Sequence, residues 1–392
     1  MHKPRVLLTY IESGMGHIMS MQAILDGLKS EENIDKIELI ESYIMNEGSK
    51  ETEQFEKFLS SCTKKTNKHK AFGIGIFWFL EIAGKAHFMR LIHRTIFKKF
   101  TAATIESMRK YQPDVIISTH YFITFAALEL KKKYMPNLVV ITYNPDNNVH
   151  VWWDNRSDLF INNNLKACNE AIRKRKFKFE TIRKVFFTAR SEISNAKGTK
   201  EEYRKKYHLP QNHFTITIAD GAYAQAKAKS VCNALMKLSF PVTLIILAGK
   251  NEKVLKYFEK KKKNVPSHIH LVPLGFTPLA YEYYGASDIF ITKAGPNAVL
   301  DSLFMGTPVI IDYYAHNIEK ATEKLFVQTL KCGITCHRVS HMAQVVTHLY
   351  EHPEILEELR QNIRKNVNRD NNGAKQIADI IISELRERKF ID

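Results

Sequence analysis

Short, mostly apolar runs recur along this chain, most of them followed by a turn and then by residues at helical spacing. Arg5–Tyr10, Ile37–Ile40, Val115–Ser118, Leu138–Thr142 and Leu159–Ile161 form a first set. Phe214–Ile218, Val242–Leu247, His270–Val272, Ile289–Thr292 and Val309–Ile311 form a second. Runs of this length without alternation predict strands buried on both faces, and helices between them predict parallel sheets covered on each side. The rhythm breaks at Ala189–Lys200, a polar stretch containing Gly198. The pattern predicts two α/β domains, over 1–195 and 196–372, with a last helix over 373–392 returning to the first domain.

Open parallel sheets bind ligands beyond the carboxyl ends of their strands. Two glycine turns fall at such ends, Ser13-Gly14-Met15-Gly16-His17 and Lys293-Ala294-Gly295-Pro296-Asn297. The first lacks the third glycine of a dinucleotide fingerprint. Amides at a helix start cradle phosphate groups. His17 falls on the first helical turn, where the imidazolium is disfavoured and the neutral ring suits a general base; the plain alternative is a loop histidine with no role. His120 follows the third run, and Asp146, His150, Trp152 and Trp153 follow the fourth as candidate acceptor-pocket residues. Lys293 either adds charge beside a diphosphate or pairs with a neighbouring acid. Asp301 and Glu319 are carboxylates able to take two hydrogen bonds from a ribose diol, or else solvated helix residues.

Charge narrows the partners. With 58 Lys and Arg against 41 Asp and Glu, the formal charge is +17, which draws the chain to polyanions. Phe72–Phe100 mixes Phe72, Ile74, Trp78, Phe88, Leu91 and Ile96 with Lys85, Arg90, Arg94, Lys98 and Lys99, beside His87 and His93. Three readings fit: an interfacial stretch on anionic lipid, a core helix pair with snorkelling lysines, and an RNA-binding stretch. The density of apolar side chains suits acyl chains better than bases, so no nucleic acid is expected. No run reaches the roughly 18 apolar residues of a spanning helix. The expected location is the cytoplasmic face of the cell membrane, held peripherally. Five scattered cysteines predict free thiols; Cys332 and Cys336 read as near-core thiols rather than a zinc site.

These motifs, together with Pro113–His120, Gly275-Phe276-Thr277 and Ile291–Pro296 through Gly306-Thr307-Pro308, resemble a known family. It comprises the glycosyltransferases related to monogalactosyldiacylglycerol synthase, the processive diacylglycerol glucosyltransferases and MurG. The resemblance runs from Val6 to about Ala374. It implies two Rossmann-like domains facing a cleft (the GT-B fold) and inverting transfer of a hexose from a UDP-sugar, without metal or other cofactor, to a membrane lipid such as diacylglycerol. Transfer of N-acetylglucosamine to a polyprenyl-linked acceptor, and a lipid-binding relative without chemistry, are the rival expectations. By resemblance His17 is the base, with Asp146 the acid of the acceptor loop. The donor side comprises Gly16, Gly221, Gly275, Phe276, Thr277, Lys293, Gly295, Pro296, Asn297, Asp301, Asn317 and Glu319. This chain departs from the family pattern in three places. Asn317-Ile318 stands for Gly-Gln, Asp220-Gly221-Ala222-Tyr223 for a longer glycine loop, and Thr142-Tyr143-Asn144-Pro145-Asp146 for a Thr-Asp pair.

Overall fold

The computed structural model describes residues 3–11, 15–43, 49–68, 75, 81, 86–221 and 227–392. The chain divides into two compact units. The first holds Met1–Thr66, Ala71–Ser191 and Asn371–Asp392, and the second holds Asn67–Lys70 and Glu192–Asp370.

The first unit is built on a sheet of six strands: β1 (Arg5–Tyr10), β2 (Glu38–Tyr43), β3 (Val115–Ser118), β4 (Val139–Tyr143), β5 (Leu159–Asn162) and β6 (Ile182–Lys184). Their order across the sheet is β2-β1-β3-β4-β5-β6, and all pairs are parallel. β3, β4 and β5 are buried along their whole length, as unbroken apolar runs require when helices cover both faces. One face packs Ile24, Leu25 and Leu28 of helix Met15–Lys29 with Ile377, Ile381 and Leu385 of helix Gly373–Glu387. The other packs Ile105 and Met108 of helix Lys98–Lys110 with Ile123, Ala127 and Leu130 of helix Tyr121–Lys133.

The last helix belongs to the first unit because its start is pinned there. Asn372 caps the helix through its Oδ1, and its amide also exchanges two hydrogen bonds with the Ala189 backbone, at 3.0 and 2.8 Å. At Gly27 the two helices approach so closely that an added Cβ would meet the Ala374 carbonyl oxygen at 2.5 Å. Helix propensity alone favours Gly27→Ala by about 1 kcal/mol. The contact reverses the sign: the variant is expected to lose about 1–3 kcal/mol in urea unfolding, through overpacking.

The second unit repeats the plan with β7 (Phe214–Ala219), β8 (Val242–Leu247), β9 (Ile269–Leu274), β10 (Ile289–Lys293), β11 (Val309–Tyr313) and β12 (Gly333–Thr335). The order is β12-β11-β10-β7-β8-β9, again parallel. β7 and β8 are buried throughout, and their side chains Ile216, Ile218, Leu244 and Ile246 form the centre of that unit's core.

Candidate active site

Each sheet reverses its winding once, between β1 and β3 in the first unit and between β7 and β10 in the second. Crevices open at such points, beyond the carboxyl ends of the strands. The flanking turns carry the candidate residues: Gly16 and His17 after β1 with Thr119 and His120 after β3, and Asp220 and Gly221 after β7 with Lys293–Asn297 after β10.

His17 falls in the first turn of helix Met15–Lys29. Its Nδ1 is 2.7 Å from the Thr119 carbonyl oxygen, and the Thr119 hydroxyl donates back to the His17 carbonyl at 3.2 Å. A carbonyl only accepts, so the ring proton resides on Nδ1 and Nε2 keeps its lone pair. Burial holds the His17 pKa below the ordinary imidazole range, against the opposing pull of the Asp146 carboxylate and the Thr119 carbonyl. Burial, rather than the helix end, is thus the leading cause of the neutral ring. Such a group is a proton acceptor at neutral pH.

The His120 ring meets His17 edge-on, with centroids 4.7 Å apart. Its Nδ1 accepts from the Phe122 amide at 3.3 Å and caps helix Tyr121–Lys133. That amide leaves the His120 proton on Nε2, the reverse of the arrangement in His17. Burial first, then the neighbouring His17, His150 and His93, hold His120 neutral.

Asp146 lies 3.6 Å from His150 Nε2 and acts on His17 only through space. Asparagines position its loop. The Asp146 amide donates to Asn144 Oδ1 at 3.0 Å, and Asn162 Nδ2 reaches the Asn144 and Asp146 carbonyls at 2.8 and 3.0 Å. The run Asn162-Asn163-Asn164 at a strand end was the available sequence signal for this bracing. Of the two indoles expected at the acceptor pocket, Trp153 instead packs in the core against Phe160, only 2% exposed. Trp152 packs beside His93 and Phe122.

In the second unit Lys293 ends β10 and pairs with Glu319 at 2.6 Å. The other Glu319 oxygen accepts from the Ala315 amide at 2.6 Å. Burial alone raises a carboxyl pKa, but the Lys293 ammonium and these hydrogen bonds more than reverse it, to about 2. Of the two roles open to Lys293, pairing with an acid is the one the geometry provides. Asn317 opens the helix that carries Glu319.

Gly221 takes φ +76°, and an added Cβ would touch Lys293 Cε at 3.5 Å. Gly295 is the extended residue before helix Pro296–Phe304, with Pro296 in its first turn and Asn297 and Asp301 further along. That helix start presents a positive dipole end at the switch point. Past the end of β9, Gly275 leads to Phe276, whose ring is 54% exposed with the Lys250 ammonium 5.8 Å from its centroid. The Thr277 hydroxyl accepts from the Leu279 amide at 3.1 Å, which shapes this turn. The Ala222 and Tyr223 positions of the β7 turn, and Ser13 and Gly14 of the first glycine turn, lie outside the described residues.

The basic-aromatic segment divides between core and surface where it is described. His93 is 2% exposed and stacks on Phe125, and burial pushes its pKa down to about 3. Met89 and Phe100 are also buried. Arg90 and Arg94 are paired with buried acids, Asp154 at 3.2 Å and Glu129 at 2.9 Å. Phe88, Leu91 and Ile96 point outward, Ile96 being 72% exposed. Phe72, Ile74, Trp78 and Lys85 lie outside the described residues. Cys332 and Cys336 are buried free thiols. Among the described residues no three metal-binding side chains converge, and no helix is long and apolar enough to cross a membrane.

Residues 17–176 match the monogalactosyldiacylglycerol (MGDG) synthase family, and residues 220–377 match the glycosyltransferase family 28 C-terminal domain. The chain is a glycosyltransferase related to MGDG synthase and to MurG. In this glycosyltransferase the first match spans β2–β5 and the second spans β8–β12. Among its relatives is monogalactosyldiacylglycerol synthase 2, chloroplastic, of Arabidopsis thaliana, 23% identical over 382 residues, which are 92% of this chain and 77% of the plant protein. Two further plant relatives are covered over 60% and 50% of their own length. The fold is that of MurG from Acinetobacter baumannii, with a TM-score of 0.62 at 13% identity over 97% of this chain and 99% of that one. Anabaena Alr3699/HepE, solved in complex with UDP, has a TM-score of 0.57 at 10% identity over 98% and 100%. Two Rossmann-like units with parallel sheets are the GT-B architecture.

Proposed function

We propose that this glycosyltransferase moves a hexose from a UDP-sugar to diacylglycerol, with inversion at the anomeric carbon. The observation that carries the reading is the tautomer of His17: Nδ1 is engaged by the Thr119 carbonyl, and Nε2 is left to take a proton. The acceptor oxygen forms its bond to the anomeric carbon as that carbon's bond to the diphosphate breaks. The bonding pair leaves with the diphosphate, and the hydroxyl proton passes to His17 Nε2. Amides at the start of helix Pro296–Phe304 stabilise charge growing on the leaving group. Phe276 offers an aromatic face to the uracil, and Asp301 a carboxylate to the ribose. Lys293 and Glu319 act as a pair, each holding the other in place at the end of β10.

Asp146 tunes the acceptor loop through His150 in this reading. The chain works peripherally on an anionic membrane, at its cytoplasmic face. The outward Phe88, Leu91 and Ile96 with exposed Lys98 and Lys99 support that docking.

Titration calorimetry with UDP, followed by a screen of radiolabelled nucleotide sugars against diacylglycerol-containing vesicles, tests the assignment. UDP binding and one labelled glycolipid product are expected. The reading falls if UDP gives no heat, or if label passes only to a polyprenyl-linked acceptor.

A further inference from the structure

The docking face has less free charge than its sequence promised. Arg90 and Arg94 are held by Asp154 and Glu129, so among the described residues Lys98 and Lys99 are its remaining Lys or Arg without a partner. A neighbouring loop supplies what is missing. Residues 165–184 hold eight Lys and Arg against two Glu. The Lys176 and Lys178 side chains are exposed and have no partner among the described residues, and Phe179 projects at 78% exposure from the short turn Phe179–Thr181.

This loop is held stiffly. Phe177 is buried against Phe160, at 4.4 Å between ring centroids, directly beneath the exposed tip. Lys176 takes φ +60°, which turns the chain sharply before that tip. Asn155 joins the loop to helix Ala86–Thr95: its Nδ2 donates to the Arg175 and Lys176 carbonyls at 3.0 and 3.1 Å, and its Oδ1 accepts from Arg90 at 2.5 Å. The loop and the helix that bears Phe88 and Leu91 are therefore bridged through one side chain.

We infer that the Lys174–Phe179 loop is a second membrane anchor, in which Phe179 enters the headgroup boundary of an anionic bilayer while Lys176 and Lys178 meet lipid phosphates. The inference rests on the peripheral-membrane reading above. An exposed phenylalanine between lysines is costly in water and stabilised at an anionic interface, where each basic group contributes about 1 kcal/mol. A solvated basic loop has no use for a bare phenyl ring held rigidly at its tip. Nucleic acid would call for an aromatic stacking platform along a groove, and a single projecting ring is a wedge.

The test is vesicle flotation with phosphatidylcholine alone and with added phosphatidylglycerol, read beside circular dichroism and urea unfolding to show that each variant is folded. Lys176→Asn with Lys178→Gln, asparagine being chosen to keep the left-handed turn, is expected to weaken binding to the anionic vesicles about thirtyfold. Phe179→Ala is expected to weaken it severalfold and to leave the salt dependence unchanged. A third variant, Leu91→Glu with Ile96→Glu, strikes the helix face instead. Wild-type binding that survives the loop substitutions and is lost with the helix pair overturns the anchor and leaves peripheral docking standing. No wild-type binding to anionic vesicles overturns both. Loop variants that keep vesicle binding and lose retention on polyuridylate overturn the lipid assignment of the loop.

Discussion

His17→Ala lowers turnover by roughly 10²-fold or more, the ordinary contribution of a positioned base, and leaves UDP affinity unchanged. The separation follows from where the groups reside. His17 belongs to the first unit, and apart from Gly16 the residues assigned to the donor belong to the second. Steady-state kinetics with calorimetry of the same variant checks both halves; unchanged turnover would remove the base from the proposal. The pH profile gives an independent reading. Burial lowers the His17 pKa, so its lone pair persists below the ordinary imidazole range. The acid limb of kcat/KM in the wild type is therefore expected below pH 6.5, the unshifted value. Thr119 offers its backbone carbonyl, so its replacement by valine preserves the tautomer and is expected to keep that limb in place.

Lys293→Met is the substitution with the largest expected effect on stability. It leaves the Glu319 carboxylate buried, 4% exposed, with its 2.6 Å partner gone. Breaking a buried pair from one side costs about 3–5 kcal/mol. Urea unfolding at neutral pH should show that loss, and Lys293→Met with Glu319→Gln together should recover part of it. Acid changes the comparison in a defined direction. Glu319 is depressed from 4.5 to about 2, so its contribution is present above about pH 4.5 and is lost as pH falls toward 2. The gap between wild type and Lys293→Met is expected to narrow over that window. A gap that stays constant with pH would mean that the pair does not govern the stability of this unit.

The two outcomes together define how the second site is built. Gly221 suits its position because its φ of +76° is left-handed, a conformation that L side chains rarely adopt. Gly295 carries no such demand, its φ being −73°. A small residue there leaves room for a ligand to approach the amides of the following helix.

Much of this was readable along the chain. Mostly apolar runs such as Val242–Leu247 identified strands because a strand buried on both faces has no solvent-facing positions to fill with charged residues. The glycine turns identified the binding edges because parallel strands put their following turns on one side. Contacts between residues far apart in sequence were not readable. Nothing near His17 announces that a carbonyl 102 residues away holds its Nδ1. Nor does the composition of Phe72–Phe100 reveal that Arg90 and Arg94 pair with Asp154 and Glu129 while Ile96 faces out.

The sequence by itself determined five strands of each sheet, their parallel sense and the turns that bear the chemistry, because each follows from local periodicity and chain direction; the short edge strands β6 and β12 carry too few apolar residues to be read that way. Tertiary structure alone decided which histidine nitrogen is free, which lysine is neutralised and which cations remain for a partner. Those are properties of pairs of atoms, and only the folded chain brings the pairs together.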